Sequence, residues 1–138
     1  MIYRSVSETD TLEFGRAFGA RLGAGDVVAL HGDRAFGGEA LEAPFLGSPA
    51  GFPIGPYLLA SVAGAPVFQT FAMREGIGRY RFFCFPAQRV PRLRRTDTAA
   101  LRTLVETYVQ RLETVVRQYP FQWYNFFPFW QRGKETRT

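Results

Sequence analysis

The chain has 138 residues, 46% of them hydrophobic and 21% charged, which fits one globular domain large enough to fold without a disulfide or metal staple and excludes a disordered chain. A single cysteine, Cys84, excludes an internal disulfide, and a single histidine, His31, excludes a Cys/His zinc site and any mechanism needing two histidines in one copy. The net charge of +5 is lopsided: residues 1–73 hold four Arg and seven acids, net −3, whereas residues 74–138 hold 13 basic groups and five acids, net +8.

All the basic residues but Lys134 are Arg, and 22 residues are aromatic. A basic, aromatic second half points to an anionic partner with a lipid or aromatic surface. No RNA-binding aromatic signature or DNA-reading helix emerges, so nucleic acid is not expected. No window approaches the ~18 apolar residues of a transmembrane helix. The start, MIYRSVSETD, lacks the basic-then-apolar pattern of a signal peptide. The expectation is a reduced, cytoplasmic protein.

In chain order, Ile2–Val6 alternates like a short strand, and Thr9–Leu22 reads as a helix capped by Ser7 or Thr9 and ended by Gly23–Gly25. The apolar run Asp26–His31 suits a strand buried on both faces. Strand, helix and strand in that order predict a βαβ unit with a parallel pair. Residues 32–52 form a long Gly/Pro-rich segment with one short strand at Glu39–Phe45. Pro53–Gly64 reads as a second helix with Pro56 in its first turn. Val67–Met73 and Arg79–Pro86 read as the strands of a hairpin. A basic connector, Arg89–Arg95, leads into the clearest helix, capped by Thr96 or Asp97. Leu101, Leu104, Val105, Tyr108, Val109, Leu112, Val115, Val116 and Tyr119 form its apolar stripe, and Pro120 stops it. Residues 119–130, YPFQWYNFFPFW, carry eight aromatics in twelve positions. The expected fold is α/β, ordered β-α-β then loop-α-β-β-α, with a mixed, mainly parallel sheet flanked by helices and a C-terminal aromatic arm. Residues 1–132 would form one domain and residues 133–138 a frayed tail.

Several groups bear on chemistry. Gly32 to Gly37 fits the first six positions of a phosphate-binding G-x-x-x-x-G loop, but Gly38 and Glu39 stand where Lys and Ser/Thr belong. A carboxylate there repels phosphate, so a flexible glycine loop after a strand is the plainer reading. His31 and Asp33 lie two apart and could face one way, as a His–carboxylate pair that activates a hydroxyl or as a strand-end histidine beside a turn aspartate. Cys84, mid-strand among aromatics, reads as a small buried hydrophobe. Arg89, Arg92, Arg94 and Arg95 read either as phosphate-headgroup ligands or as a solvated basic loop. The aromatic arm, with Trp123 and Trp130, suits both a membrane interface and packing on the domain, and Gln122 and Asn125 favour partial packing because their amides want fixed partners.

Four stretches together resemble the C-terminal half of the bacterial lipid A biosynthesis (lauroyl/myristoyl) acyltransferase family, within the lysophospholipid acyltransferase superfamily. Gly25–Arg34 (GDVVALHGDR) resembles the family's buried strand ending in an aspartate loop, and Pro44–Ala50 (PFLGSPA) its PFFG-x-PA stretch. Gly55–Ala60 (GPYLLA) followed by Gly64–Val67 (GAPV) resembles its GP-x-x-LA…GAPVVP run. Tyr119-Pro120, then Gln122-Trp123, resembles its HP-x-QW close. The resemblance implies part of an α/β acyltransferase domain that moves a fatty acyl chain from acyl carrier protein or coenzyme A to a lipid or glycolipid hydroxyl. It implies no metal or other cofactor, and a place at the cytoplasmic face of the inner membrane. Asp33, Arg34, Phe45 and Gly47, and more loosely Gly55, fall on the substrate side.

The family's catalytic pair is His-x4-Asp/Glu, in which His takes the proton of the attacking hydroxyl. It lies upstream of the matched stretches. Here Phe36 stands five residues after His31, so no catalytic residue carries over. Three readings follow: an acyltransferase-family chain that needs an upstream half or partner chain, a non-catalytic lipid-binding or scaffolding domain, and a P-loop-like nucleotide binder. Removing half of such a domain would leave sheet edges open, which predicts self-association or a covering partner.

Overall fold

The computed structural model describes residues 23–34 and 39–130. The chain divides into two compact units, Met1–Leu30 and His31–Thr138. In the first, Gly23 donates its N–H to Asp26 Oδ2 at 2.7 Å, and Gly25 takes a positive φ of 95°, which glycine adopts without strain. Residues 26–30 carry no strand pairing. The expected strand Ile2–Val6 and helix Thr9–Leu22 lie outside the described residues.

The second unit is built from two antiparallel hairpins and two helices. Strands β1 (Ala40–Phe45) and β2 (Ser48–Pro53) pair from Ala40 opposite Pro53 to Phe45 opposite Ser48. Helix α1 (Gly55–Ala63) follows, then strands β3 (Thr70–Gly76) and β4 (Arg79–Cys84), and helix α2 (Thr98–Gln118) with a short 3-10 turn at Pro120–Gln122. All strand pairs among the described residues are antiparallel. This corrects the expected mainly parallel sheet, while the α/β class and the β3–β4 hairpin hold. The expected parallel pair rested on a buried strand at Asp26–His31, but residues 26–31 form no strand and Val27 and Leu30 are exposed. The pairs that do form are antiparallel because of their connections. Two-residue turns at 46–47 and 77–78 can only join antiparallel strands, whereas a parallel pair needs a long crossover.

Strand β2 falls inside the segment expected to be a loop. Pro49 and Pro53 disguise it, since proline cannot donate to a ladder. In a two-stranded ribbon each strand has a free side, so proline is tolerated there. The turn between β1 and β2 has positive φ at both central residues, 51° at Leu46 and 87° at Gly47, which matches the right-handed twist of a hairpin. Glu113 Oε2 on α2 accepts the Leu46 N–H at 3.0 Å and ties this turn to the helix.

Helix α1 carries Pro56 in its first turn and stops at Gly64 (φ 63°), where the Ala65 N–H reaches Ala60 O at 3.0 Å in a left-handed cap. Helix α2 buries Leu101, Leu104, Val105, Val109, Leu112, Val115 and Val116, the stripe read from the sequence. Asp97 is its N-cap position, but the carboxylate accepts from Arg94 N–H at 2.8 Å rather than from a helix amide. The core joins this stripe to Ala43, Phe45, Ala50 and Phe52 of the first hairpin and to Phe129 of the aromatic arm. Complete burial of Phe45 contributes about 1.5–3 kcal/mol relative to an exposed ring.

Cys84 is exposed, against expectation. It lies opposite Thr70 on the outward face of the β3–β4 hairpin, while Phe71 and Phe83, also paired, turn inward. Along β4 and just past it the half-buried side chains are Phe83 and Phe85, whereas Phe82 and Cys84 are exposed, so Cys84 is not the buried hydrophobe expected.

Candidate functional site

The loop at the start of the second unit is held by two aromatic side chains. The Gly32 backbone lies against the Tyr108 ring so closely that a Cβ at this position would sit 2.7 Å from the ring carbon bearing the hydroxyl. Only glycine permits that approach. The next residue, Asp33, accepts a hydrogen bond from Trp123 Nε1 at 3.3 Å, across 90 residues of chain. Its other oxygen lies 3.9 Å from Arg34 Nε. Burial raises the Tyr108 hydroxyl above its ordinary range, and the charge of Asp33 and the neighbouring Tyr57 raise it further, so Tyr108 stays a neutral phenol beside the carboxylate.

His31 is exposed and makes no hydrogen bond or ion pair with Asp33. The loop therefore presents a fixed acceptor and a neighbouring guanidinium, an arrangement suited to orienting a polar group. Among the described residues no base positioned to take a proton contacts the loop. Residues 35–38 of the glycine-rich loop lie outside the described residues. Glu39, where a phosphate loop would have Ser/Thr, is ion-paired to Arg95 at 2.9 Å.

Residues assigned from sequence to different roles converge on one ring. Phe45 is wrapped by Trp123 (centroids 5.1 Å apart, edge-on), Phe129 (5.7 Å) and Trp130 (6.2 Å, stacked). Trp130 Nε1 donates to the Phe45 carbonyl at 3.2 Å. Thus Phe45 lies in the core, Trp123 is half-buried against it while holding Asp33, and Trp130 keeps its outer part exposed. The amide of Gln122 is paired at both ends: Oε1 accepts from Arg74 N–H at 2.7 Å and Nε2 donates to Arg74 O at 2.8 Å. Asn125 is different, because its buried Oδ1 has no hydrogen-bond partner. Gly47 serves the turn, and Gly55 is exposed at the N-terminus of α1 with open space around its Cα.

The basic connector is docked by its backbone. Leu93 N–H donates to the buried Ser61 Oγ of α1 at 2.6 Å, and Val90 and Leu93 pack on the core. Its Arg side chains point outward. Arg95 is paired to Glu39, while Arg89, Arg92 and Arg94 make no ion pair among the described residues.

A buried polar cluster was not read from the sequence. Gln69, 4% exposed, donates to Gln88 Oε1 at 2.6 Å and to Tyr57 Oη at 3.5 Å, and accepts from Arg111 Nη1 at 2.9 Å. The Arg111 guanidinium also lies 5.0 Å above the Phe85 ring. Burial pushes the Tyr57 hydroxyl up to about 12, against the lowering effects of the Gln69 bond and the Arg111 charge. One signal could have found the cluster: Arg111 falls at helical spacing between Tyr108 and Val115, on the flank of the apolar stripe.

The sequence model of the family described as bacterial lipid A biosynthesis acyltransferase matches residues 11–132. The chain belongs to that family. The match spans every element described above, from the Gly23–Gly25 turn to Trp130, and so includes the Asp33 loop, the Phe45–Gly47 turn and the aromatic arm that joins them. No curated protein matches the chain at significance. Among the described residues no helix is long and apolar enough to cross a membrane.

Proposed function

We propose that the chain forms the acceptor side of a lipid acyltransferase, which moves a fatty acyl group from an acyl-carrier-protein or coenzyme A thioester to a lipid or glycolipid hydroxyl. In that reaction the hydroxyl oxygen forms the new ester as the thioester C–S bond breaks and the thiol leaves. Membership of the lipid A acyltransferase family carries the reading. The geometry adds a reason for the family pattern. The Gly32-Asp33-Arg34 loop and the Gln122-Trp123 close are far apart in sequence, yet the indole of Trp123 holds the Asp33 carboxylate. Asp33 and Arg34 would orient the polar part of the acceptor, with Gly47 and Gly55 on the same side and Phe45 acting through its contact with Trp123. Arg89, Arg92, Arg94 and Arg95, with Trp130, would hold the chain peripherally at the anionic inner face of the cell membrane.

Proton removal would need the family's His-x4-acid pair, and in this sequence Phe36 stands where the acid would follow His31. The His-x4-acid pair would come from another polypeptide segment or a partner chain. The same absence favours a second reading, a non-catalytic lipid-binding or scaffolding domain. The test is transfer of labelled acyl groups from both thioester donors to detergent-dispersed lipid acceptors. The chain alone and the chain with its partner segment are both assayed. Transfer only with the partner, reduced by Asp33→Asn, supports the proposal. No transfer in any combination leaves the scaffolding reading.

A further inference from the structure

The β3–β4 hairpin ends on Ile77, which is 94% exposed at the turn. The aromatic arm presents Tyr124 and Phe126, 65% and 91% exposed, with rings stacked 6.3 Å apart. Ile77 and Tyr124 line one open groove of about 410 Å³. The hairpin and arm are fixed to each other, because the Gln122 amide pairs with both backbone polar groups of Arg74 and Tyr119 Oη donates to Glu75 at 3.1 Å. The exposed apolar tips are therefore a set held in place.

Cations surround them. Arg74, Arg79 and Arg81 stand against a single acid, Glu75, so the local charge is three minus one, or +2. Glu75 is already occupied by Arg81 at 2.6 Å. Arg74 spends its Nε on the Gly76 carbonyl, and Arg79 lies over Gly76; neither meets a carboxylate among the described residues. A lone aliphatic side chain on a protruding turn offers little to a flat protein surface. A soft interface that is apolar inside and anionic outside takes both the tips and the guanidiniums.

We infer that Ile77, Tyr124 and Phe126 form a wedge that enters the headgroup–acyl boundary of an anionic bilayer while Arg74 and Arg79 bind lipid phosphates. The inference deepens the acyltransferase reading, which explains why a bilayer is near, by naming a membrane-entering surface separate from the Arg89–Arg95 connector.

Co-sedimentation of the whole chain with phosphatidylcholine vesicles, with and without phosphatidylglycerol, tests it. The chain should bind the anionic vesicles. The triple variant Ile77→Ser, Tyr124→Ser, Phe126→Ser should bind about tenfold or more weakly. Arg74→Gln with Arg79→Gln should also lose about tenfold or more and flatten the salt dependence. Leu59→Ser with Val62→Ser, exposed apolar positions on α1, should stay within about twofold of the parent. No binding by the parent, or equal losses in the wedge and α1 variants, overturns the inference. Ile77→Trp reads insertion without removing apolar surface. Its added fluorescence should be quenched by brominated lipid, and an unquenched indole on a vesicle-bound chain refutes the wedge. Self-association abolished by the triple variant, with vesicle binding unchanged, would make the surface a protein interface and equally overturn it. Acyl transfer to a detergent-dispersed acceptor by the chain together with its partner segment separates the two claims. Transfer retained while vesicle binding falls supports the wedge, and absent transfer with wedge-dependent binding removes only the acyltransferase reading.

Discussion

Trp123 holds two parts of the family pattern together through one indole. Its ring packs on Phe45 and its Nε1–H meets Asp33. These contributions separate experimentally. Trp123→Phe keeps an aromatic ring on Phe45 but removes the donor, so it should cost about 1 kcal/mol in chemical denaturation. A double-mutant cycle with Asp33→Asn should return most of that as coupling. A loss in Trp123→Phe that is independent of residue 33 would show that the indole acts through packing alone. The resemblance pointed to both residues, but their contact could not be read from it, because a hydrogen bond over 90 residues depends on where helix α2 delivers the arm. Gln122 and Asn125 show the same limit. Both amides were expected to seek fixed partners, and Gln122 has two while Asn125 Oδ1 has none.

Among the elements, the β1–β2 hairpin is fixed by its turn. Gly47 sits at φ 87°, where a Cβ is strained whatever the free space. Gly47→Ala should lower stability by about 1 kcal/mol. Gly51→Ala, in strand β2 of the same hairpin with its nearest atom at an ordinary 3.7 Å, should be neutral or slightly stabilising. Thermal melts of the two variants decide it, and equal destabilisation would mean that the turn conformation is not what matters. Helices α1 and α2 were legible because period, caps and proline signals agree along a contiguous stretch. Strand β2 was not, because its prolines mimic a loop while its pairing partner supplies the order. The β3 edge is likewise settled from outside the hairpin: the Gln122 side chain covers it at Arg74.

At the scale of the whole molecule, buried phenols link the fold to pH. Tyr57 has an ordinary value of 10.0 and is pushed up to about 12 in the folded state, chiefly by burial. Below pH ~10 both folded and unfolded states keep the proton, and the stabilisation is complete. Above it the unfolded chain ionises first, so stability falls as pH rises toward the folded value. Urea unfolding should lose about 1–2 kcal/mol between pH ~9.5 and ~11. Tyr57→Phe should remove much of that slope, and an unchanged slope would place its origin elsewhere. Tyr108 moves in the same direction and adds to the effect.

The sequence by itself determined helices α1 and α2, the second hairpin, the lopsided charge and the family, since each rests on local spacing or on ordered short motifs. It also determined that Phe36, not an acid, stands five residues after His31, which is a matter of residue identity alone. Tertiary structure decided the rest. It decided that Phe45 is core, that the Gln69 cluster with Arg111 is buried, that Cys84 faces outward, and that the aromatic arm splits into packed rings and exposed tips. The physical reason is common to all four. An amphipathic or aromatic segment has more apolar surface than one neighbour can cover, and only the docking of distant elements settles which side chains lose their water.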